Sequence, residues 1–151
     1  VETAMESLDF LSAITMKEGC FSPVGNEQWY VKDCSPSLFA QQPLDALAMV
    51  LMFHQAFHLT KDKNWLNKLY TSFMWFLGEN DLRMCLYDFE TKGCCDGLES
   101  YGVNRNQGAE RPLSSLIPQL TVLQAFEEFY KTHVANENSD LIAHRMENAA
   151  T

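Results

Sequence analysis

Polar side chains that can bind hydroxyl-bearing ligands concentrate in two stretches of this 151-residue chain, 41–45 and 87–110. Carboxylates and carboxamides each exchange more than one hydrogen bond with a ligand, and aromatic rings offer flat apolar faces. The carboxyls of Asp45, Asp96 and Glu110 lie at or just before the starts of predicted helices and could act as paired acid and base. The further candidates for ligand contact are Gln41, Gln42, Tyr87, Asp88, Tyr101, Asn104, Arg105, Asn106 and Gln107.

The hydrophobic pattern predicts four helices that would hold these side chains, at about 3–16, 43–59, 62–77 and from 109 or 112 to 132. Pro43 suits the first position of a helix, so the second helix should begin there. Apolar residues surround that helix on all sides, which is typical of a buried inner helix, whereas the third is amphipathic. A short polar link between these two predicts an antiparallel hairpin. Pro118 should kink the last helix or split off its first turn.

The other segments are predicted as loops, apart from one short β-hairpin between Arg83 and Asp96. Both long loops precede inner helices, which run the same way in an array of hairpins, so both should bring polar side chains to one end. The sequence thus predicts an all-α domain of antiparallel helical hairpins over 1–135 and a weakly ordered tail, 136–151. The residues expected to line one polar depression are Gln42, Asp45, Asp96, Asn104, Gln107 and Glu110.

The charge of the chain excludes two classes of partner. There are 11 Lys and Arg against 20 Asp and Glu, which gives a net charge of −9. Nucleic acids and anionic lipid surfaces both require a basic face, so neither is expected as a partner. The chain also lacks an apolar run near the ~20 residues that a membrane span needs. We expect a soluble, cytoplasmic protein.

The cysteines and histidines do not form a metal-binding pattern. Five cysteines, with no Cys-x-x-Cys spacing, favour free thiols in a reducing compartment over a disulfide framework. His54 and His58 have the spacing of two ligands on one helix face, but surface positions near a helix end explain them more simply. The sequence therefore predicts neither a metal nor another cofactor.

Several short strings in residues 38 to 130, most of the chain, form a distinctive pattern. They are Phe-Ala-Gln-Gln-Pro-Leu-Asp-Ala at 39–46, Trp-Phe-Leu-Gly-Glu-Asn-Asp-Leu at 75–82, Leu-Tyr-Asp at 86–88, Gly-Cys at 93–94, Asp-Gly-Leu at 96–98 and Gly-Val-Asn-Arg-Asn-Gln-Gly-Ala-Glu at 102–110. With these strings, the chain resembles the helical domain at the C-terminal end of some bacterial group-1 glycosyltransferases, which is similar to the (α/α)6-toroid glycosidases. It departs from that family at Cys95, where an aromatic is usual, and at Arg111, Pro112 and Pro118, where the helix is usually uninterrupted.

The resemblance implies a ring of helical hairpins to which this chain contributes the last part, beside an upstream glycosyltransferase domain. It also implies a carbohydrate-active or carbohydrate-recognising role in glycan metabolism. If the domain cleaves glycosides, Asp45, Asp96 and Glu110 are the candidate catalytic carboxyls, which inversion requires about 6.5–9.5 Å apart. An amphipathic helix that starts almost at Val1 likewise leads us to expect a piece of a longer protein.

The same residues also have a purely structural interpretation. Asp45 and Glu110 would complement helix dipoles, and the amides near 104–107 would satisfy loop backbone groups. Arg105 would then pair with Asp96 or Glu110. The alternative function is a structural helical module that binds a partner protein through its acidic loop face. An open cleft favours the carbohydrate hypothesis, and a filled one favours the module.

Overall fold

The fold is known from a computed structural model, which describes the backbone of residues 1–149 and the side chains of residues 1–134. The chain is mostly helical, as predicted, and the helices begin within a few residues of their expected starts. The last helix runs to Ala149, past its predicted end at 132. No side chain of the predicted tail, 136–151, is among the described residues, so its weak order stays a prediction. The helices are α1 (Glu2–Thr15), α2 (Pro43–Thr60), α3 (Lys63–Met74), extended by a 3-10 turn (Trp75–Leu77), and α4 (Glu110–Ala149).

Helices α2 and α3 form the predicted hairpin. Pro43 occupies the first turn of α2, and Lys61 ends the helix in a left-handed conformation with φ of 57°. The Asp62 carboxylate then accepts a hydrogen bond from the backbone N–H of Asn64 at 2.9 Å and caps α3. The stacked rings of Phe53 and Trp65, 5.8 Å apart, join the two helices in the core.

Helix α4 runs parallel to α2, because the first turn of α4 lies beside the first turn of α2 and a residue farther along α4 lies beside the end of α2. The Arg111 guanidinium, in the first turn of α4, lies near the Asp45 carboxyl in the first turn of α2. At the far end, the Glu128 carboxylate bonds the His58 ring at 3.1 Å and also pairs with Lys61. The helix is continuous through Pro118, so its first turn is not split off.

The strands differ from the prediction in number and position. Strands β1 (Met16–Lys17) and β2 (Cys20–Phe21) form one antiparallel pair, and β3 (Gly97–Glu99) and β4 (Gly102–Asn104) form another. The hairpin predicted for 83–96 is therefore misplaced, since that segment has one bridge, Tyr87 to Cys94. The tight turn falls instead before Gly102, whose φ of 134° suits a glycine.

The core lies along one side of α2, while the other side exposes Leu44, Leu51 and Leu59, so the helix is less buried than its all-round apolar pattern predicts. Gln41, just before α2, bridges Leu98 of β3 through two backbone hydrogen bonds of 3.1 and 3.0 Å, so the polar loops are tied to the helix start. Among the described residues, no helix is long and apolar enough to cross a membrane. The largest fully buried apolar side chains are Trp75, Phe21, Phe53, Phe57, Phe76, Leu69, Leu86 and Leu98.

Candidate functional site

The starts of α2 and α4 bring the predicted catalytic carboxyls around one guanidinium. Asp96 Oδ1 accepts a hydrogen bond from the Gly108 backbone N–H at 2.9 Å and lies 3.5 Å from Arg111 Nε. Glu110 Oε2 is 4.0 Å from Arg111 Nη1, although its side chain is largely exposed. Asp45 faces the same guanidinium. The three carboxyls therefore do meet at one end of the bundle.

This cluster is packed between the helices and does not line an open cleft. Burial raises the pKa of the Asp45 carboxyl, while the Gln42 backbone and Arg111 oppose that rise. Asp45 Oδ2 and Arg111 Nη1 are both buried and have no hydrogen-bond partner among the described residues. Glycoside hydrolysis needs two carboxyls facing each other across the sugar bond. Arg111 instead joins the start of α4 to Asp96, the residue before β3, and none of the described ion pairs includes Asp45.

An open cleft of about 540 Å³ lies beside this cluster, between the 84–95 loop and the segment around β4. None of the three predicted catalytic carboxyls lines it. Four of the predicted contact residues do, and Phe89 and Glu90 join them. The six side chains that give the cleft its polar and aromatic character are Tyr87, Asp88, Phe89, Glu90, Arg105 and Gln107.

Asp88 is held as a fixed anion at the rim of this cleft. Its carboxylate accepts hydrogen bonds from the backbone N–H of Glu90 at 2.9 Å, from Gln107 Nε2 at 2.8 Å and from the Thr91 N–H at 3.2 Å. These bonds lower the pKa of Asp88 to about 2. Asp88 is therefore ionised at physiological pH and can accept, but not donate, a hydrogen bond.

Gln107 is positioned by the same network. Its Oε1 accepts a hydrogen bond from the Thr91 hydroxyl at 2.9 Å, while its Nε2 bonds Asp88. The amide also packs close to Gly93, where a Cβ atom would come within 2.2 Å of Gln107 Oε1. A glycine at 93 thus leaves the space that the Gln107 amide occupies. The carboxamide and the carboxylate present a preorganised polar wall.

Two aromatic rings give the cleft its apolar surface. Tyr87 and Phe89 meet edge to face with ring centroids 5.0 Å apart, and Phe89 is 63% exposed. Exposed rings of this kind can pack against the C–H face of a sugar. Arg105 reaches the same cleft, and in the part of the chain that the structure describes it forms no ion pair. The pairing with Asp96 or Glu110 that is predicted for Arg105 is made by Arg111 instead.

The other predicted contact residues serve the scaffold or lie outside the cleft. Gln41 is fully buried, where its Nε2 donates to the Leu38 carbonyl at 2.7 Å and to Asp81 at 2.6 Å. Its Oε1 accepts from Trp75 Nε1 at 2.8 Å, so its amide has no group left to bind a ligand freely. Tyr101 is 82% exposed on the turn between β3 and β4.

Three more candidates shape the loops around the cluster. Asn104 Oδ1 accepts a hydrogen bond from the Asn106 backbone N–H at 3.2 Å, and the carbonyls of both residues accept from the Asp96 N–H. Gln42 precedes α2 with an extended backbone and no capping bond from its side chain. These three side chains are thus placed near the helix starts and not on the walls of the cleft.

The thiols near the cleft are not reactive nucleophiles. All five cysteines are free. Burial raises the pKa of Cys85 and Cys95, which line the cleft, and raises that of Cys94 to about 12. Thiols of this kind stay protonated at neutral pH. Among the described residues, no group of three His, Cys, Asp or Glu side chains could hold a metal ion.

Sequence reasoning missed Arg111, Phe89 and Glu90. In the sequence, Arg111 stands out only as a departure from a helical pattern. Phe89 carried a usable signal, because in an extended segment residues two apart share a face and Tyr87 was already a candidate. No protein-family model matches the chain, and a comparison with curated proteins finds no related sequence. The resemblance to the glycosyltransferase-associated domain therefore stays a prediction.

Proposed function

We propose that this chain is a carbohydrate-recognising domain and that its ligand site is the cleft beside β4. One observation carries the proposal: the same cleft is lined by a hydrogen-bonded carboxylate and carboxamide, Asp88 and Gln107, and by two aromatic rings, the partly buried Tyr87 and the exposed Phe89. Bidentate polar groups beside an aromatic face are what sugar hydroxyls and C–H faces require. Arg105 adds a donor with no protein partner among the described residues.

The proposed role is binding without bond cleavage. A glycosidase needs a general acid whose pKa is raised, placed across the scissile bond from a second carboxyl. The two carboxyls on the cleft, Asp88 and Glu90, are neighbours on one turn, and Asp88 has a lowered pKa. The carboxyl whose pKa is raised, Asp45, is packed between helix starts.

The proposal also includes the wider architecture that the resemblance implies. In it, α2 and α4 are successive inner helices of a toroid of hairpins, and the domain accompanies a glycosyltransferase. The parallel course of α2 and α4, with Arg111 near Asp45 at one end and Glu128 bonded to His58 at the other, supports this arrangement.

A glycan array followed by titration of the purified chain tests the proposal. Phe89→Ala and Arg105→Ala should each weaken binding of any glycan that the array identifies, because both side chains line the cleft. Tyr101→Ala is the matched control, since Tyr101 is exposed and outside the cleft. Glu110→Gln should also leave binding unchanged. Absence of glycan binding, or binding that responds to Tyr101 and Glu110 but not to Phe89, contradicts the proposal.

The alternative is a module that binds a partner protein, and one specific observation favours it, on helix α4 and not on the acidic loop face. Helix α4 exposes a stripe of apolar side chains at helical spacing, with exposures of 48% to 63%, at Leu113, Leu116, Leu120 and Leu123. Such a stripe is typical of a helix face that another helix covers. Size-exclusion chromatography over a range of concentrations tests whether this face associates by itself.

A further inference from the structure

A second groove, of about 380 Å³, adjoins the polar cleft. It lies between the end of α3 with its 3-10 turn and one face of α4. Two residues, Tyr87 and Phe89, line both cavities, so the edge-to-face ring pair forms the border between them. The two cavities therefore meet at the same two rings.

The two sides of this border differ in chemistry. The cleft carries Asp88, Glu90 and Arg105, whereas the lining of the groove contains no charged residue. Its wall is built from Phe73, Phe76 and Leu77 on one side and Val122 and Leu123 on the other. Leu123, at its rim, is 63% exposed, so the groove offers apolar surface that a ligand could cover.

We infer that the ligand of this chain is an amphiphilic glycoside, whose sugar occupies the cleft while an alkyl or aryl aglycone lies in the groove. The inference rests on the proposed function and specifies its ligand class. The two rings that both cavities share carry it, because a sugar stacked on Tyr87 and Phe89 lies at the border of the groove, where its substituent can enter. Burial of each methylene of the aglycone should then tighten binding roughly threefold to fourfold.

Calorimetry with matched glycosides tests the inference. The probes are methyl and hexyl glycosides of glucose, galactose and mannose, used below the concentration at which the hexyl forms make micelles. A hexyl glycoside has five more methylenes than the methyl glycoside of the same sugar, so burial of at least two of them should tighten binding about tenfold or more. Leu123→Lys should remove most of this gain and leave methyl glycoside binding intact. Leu113→Lys is the control, since Leu113 is exposed on the same helix but does not line the groove.

The outcomes separate this inference from the proposed function. Equal affinities of methyl and hexyl glycosides overturn the inference and leave carbohydrate recognition standing. If neither series binds, both proposals fall. Hexanol binding as tightly as the hexyl glycosides would show an apolar site independent of sugar and overturn the inference. So would a change of oligomeric state in Leu123→Lys with hexyl binding unchanged, because the groove would then be an interface between copies.

Discussion

Arg111 Nε lies 3.5 Å from Asp96 Oδ1 and ties the first turn of α4 to the residue that precedes β3. The same guanidinium faces Asp45 at the start of α2. A cation supplied by the helix therefore offsets the acidic residues at this end of the bundle. Arg105, the cation within the loop itself, is directed to the cleft instead. Two arginines six positions apart thus differ in their surroundings: Arg111 pairs with a carboxylate of the fold, and Arg105 lines the open cleft.

Exchanging each arginine for methionine should separate their roles. Arg111→Met removes the cation beside two partly buried carboxylates, so the free energy of unfolding should fall by about 2–4 kcal/mol. Arg105→Met removes an exposed side chain and should change it by no more than about 0.5 kcal/mol. Urea denaturation measures both. Equal losses in the two variants would contradict the assignment of the structural role to Arg111.

Gln41 should prove a determinant of stability. Gln41→Leu leaves Trp75 Nε1 without its buried acceptor and breaks the bond to Asp81. Because an unsatisfied buried donor costs its full desolvation, the free energy of unfolding should fall by about 2 kcal/mol or more. Gln55→Leu, an exposed change in α2, is the control and should have little effect. A Gln41→Leu variant as stable as the parent in thermal unfolding would refute this prediction.

The Gln107 amide should account for part of the low pKa of Asp88. In Gln107→Ala, the pKa of Asp88 should rise from about 2 toward its ordinary value of 3.8. It should stay below that value, because the backbone N–H groups of Glu90 and Thr91 remain bonded to the carboxylate. Carbon-13 NMR of the side-chain carboxyl against pH measures the shift, with Gln124→Ala as control. An unchanged titration in Gln107→Ala would show that the amide does not contribute.

His54 should make the stability depend on pH. Burial lowers the pKa of His54 below 6.5, and the nearby His58 and Lys61 act in the same direction, although Glu128 opposes them. The unfolded chain therefore binds a proton more readily than the folded one, so the free energy of unfolding should fall as the pH drops below about 6.5. His54→Leu should flatten this decline.

His58→Leu is the control for that experiment. The His58 side chain is 59% exposed, and the burial that acts on His54 remains in His58→Leu, so the decline below pH 6.5 should persist in this variant. Glu128 has a lowered pKa through its bonds to Lys61 and His58, and its contribution is lost only below about pH 4.5. A decline confined to that lower range in the parent protein would contradict the role of His54.

The helical elements were predictable because local pattern encodes them. Proline at the first turn of α2, a polar link with an Asp cap before α3 and the periodic leucines of α4 each act within a few residues along the chain. The parallel direction of α2 and α4 was also predictable from the sequence, because long and short links alternate along the chain. The position of the β-hairpin was not predictable. Tyr87 and its neighbours have a strand-like composition, but the backbone hydrogen bonds that pair strands form between β3 and β4.

The types of side chain at the candidate site were also present in the sequence, and their roles were decided by tertiary contacts. Gln41 and Gln42 are adjacent, yet only Gln41 enters the core, because Trp75, 34 residues away, supplies the donor for its amide. Gln107 reaches the cleft as a partner of Asp88, 19 residues earlier. Periodicity records which side of an element is apolar, but hydrogen-bond partners distant in sequence become neighbours only when the helices pack. For that physical reason the sequence determined the helices and the types of polar side chain near the site. Only the tertiary structure decided which of them enter the packed carboxyl cluster and which line the open cleft.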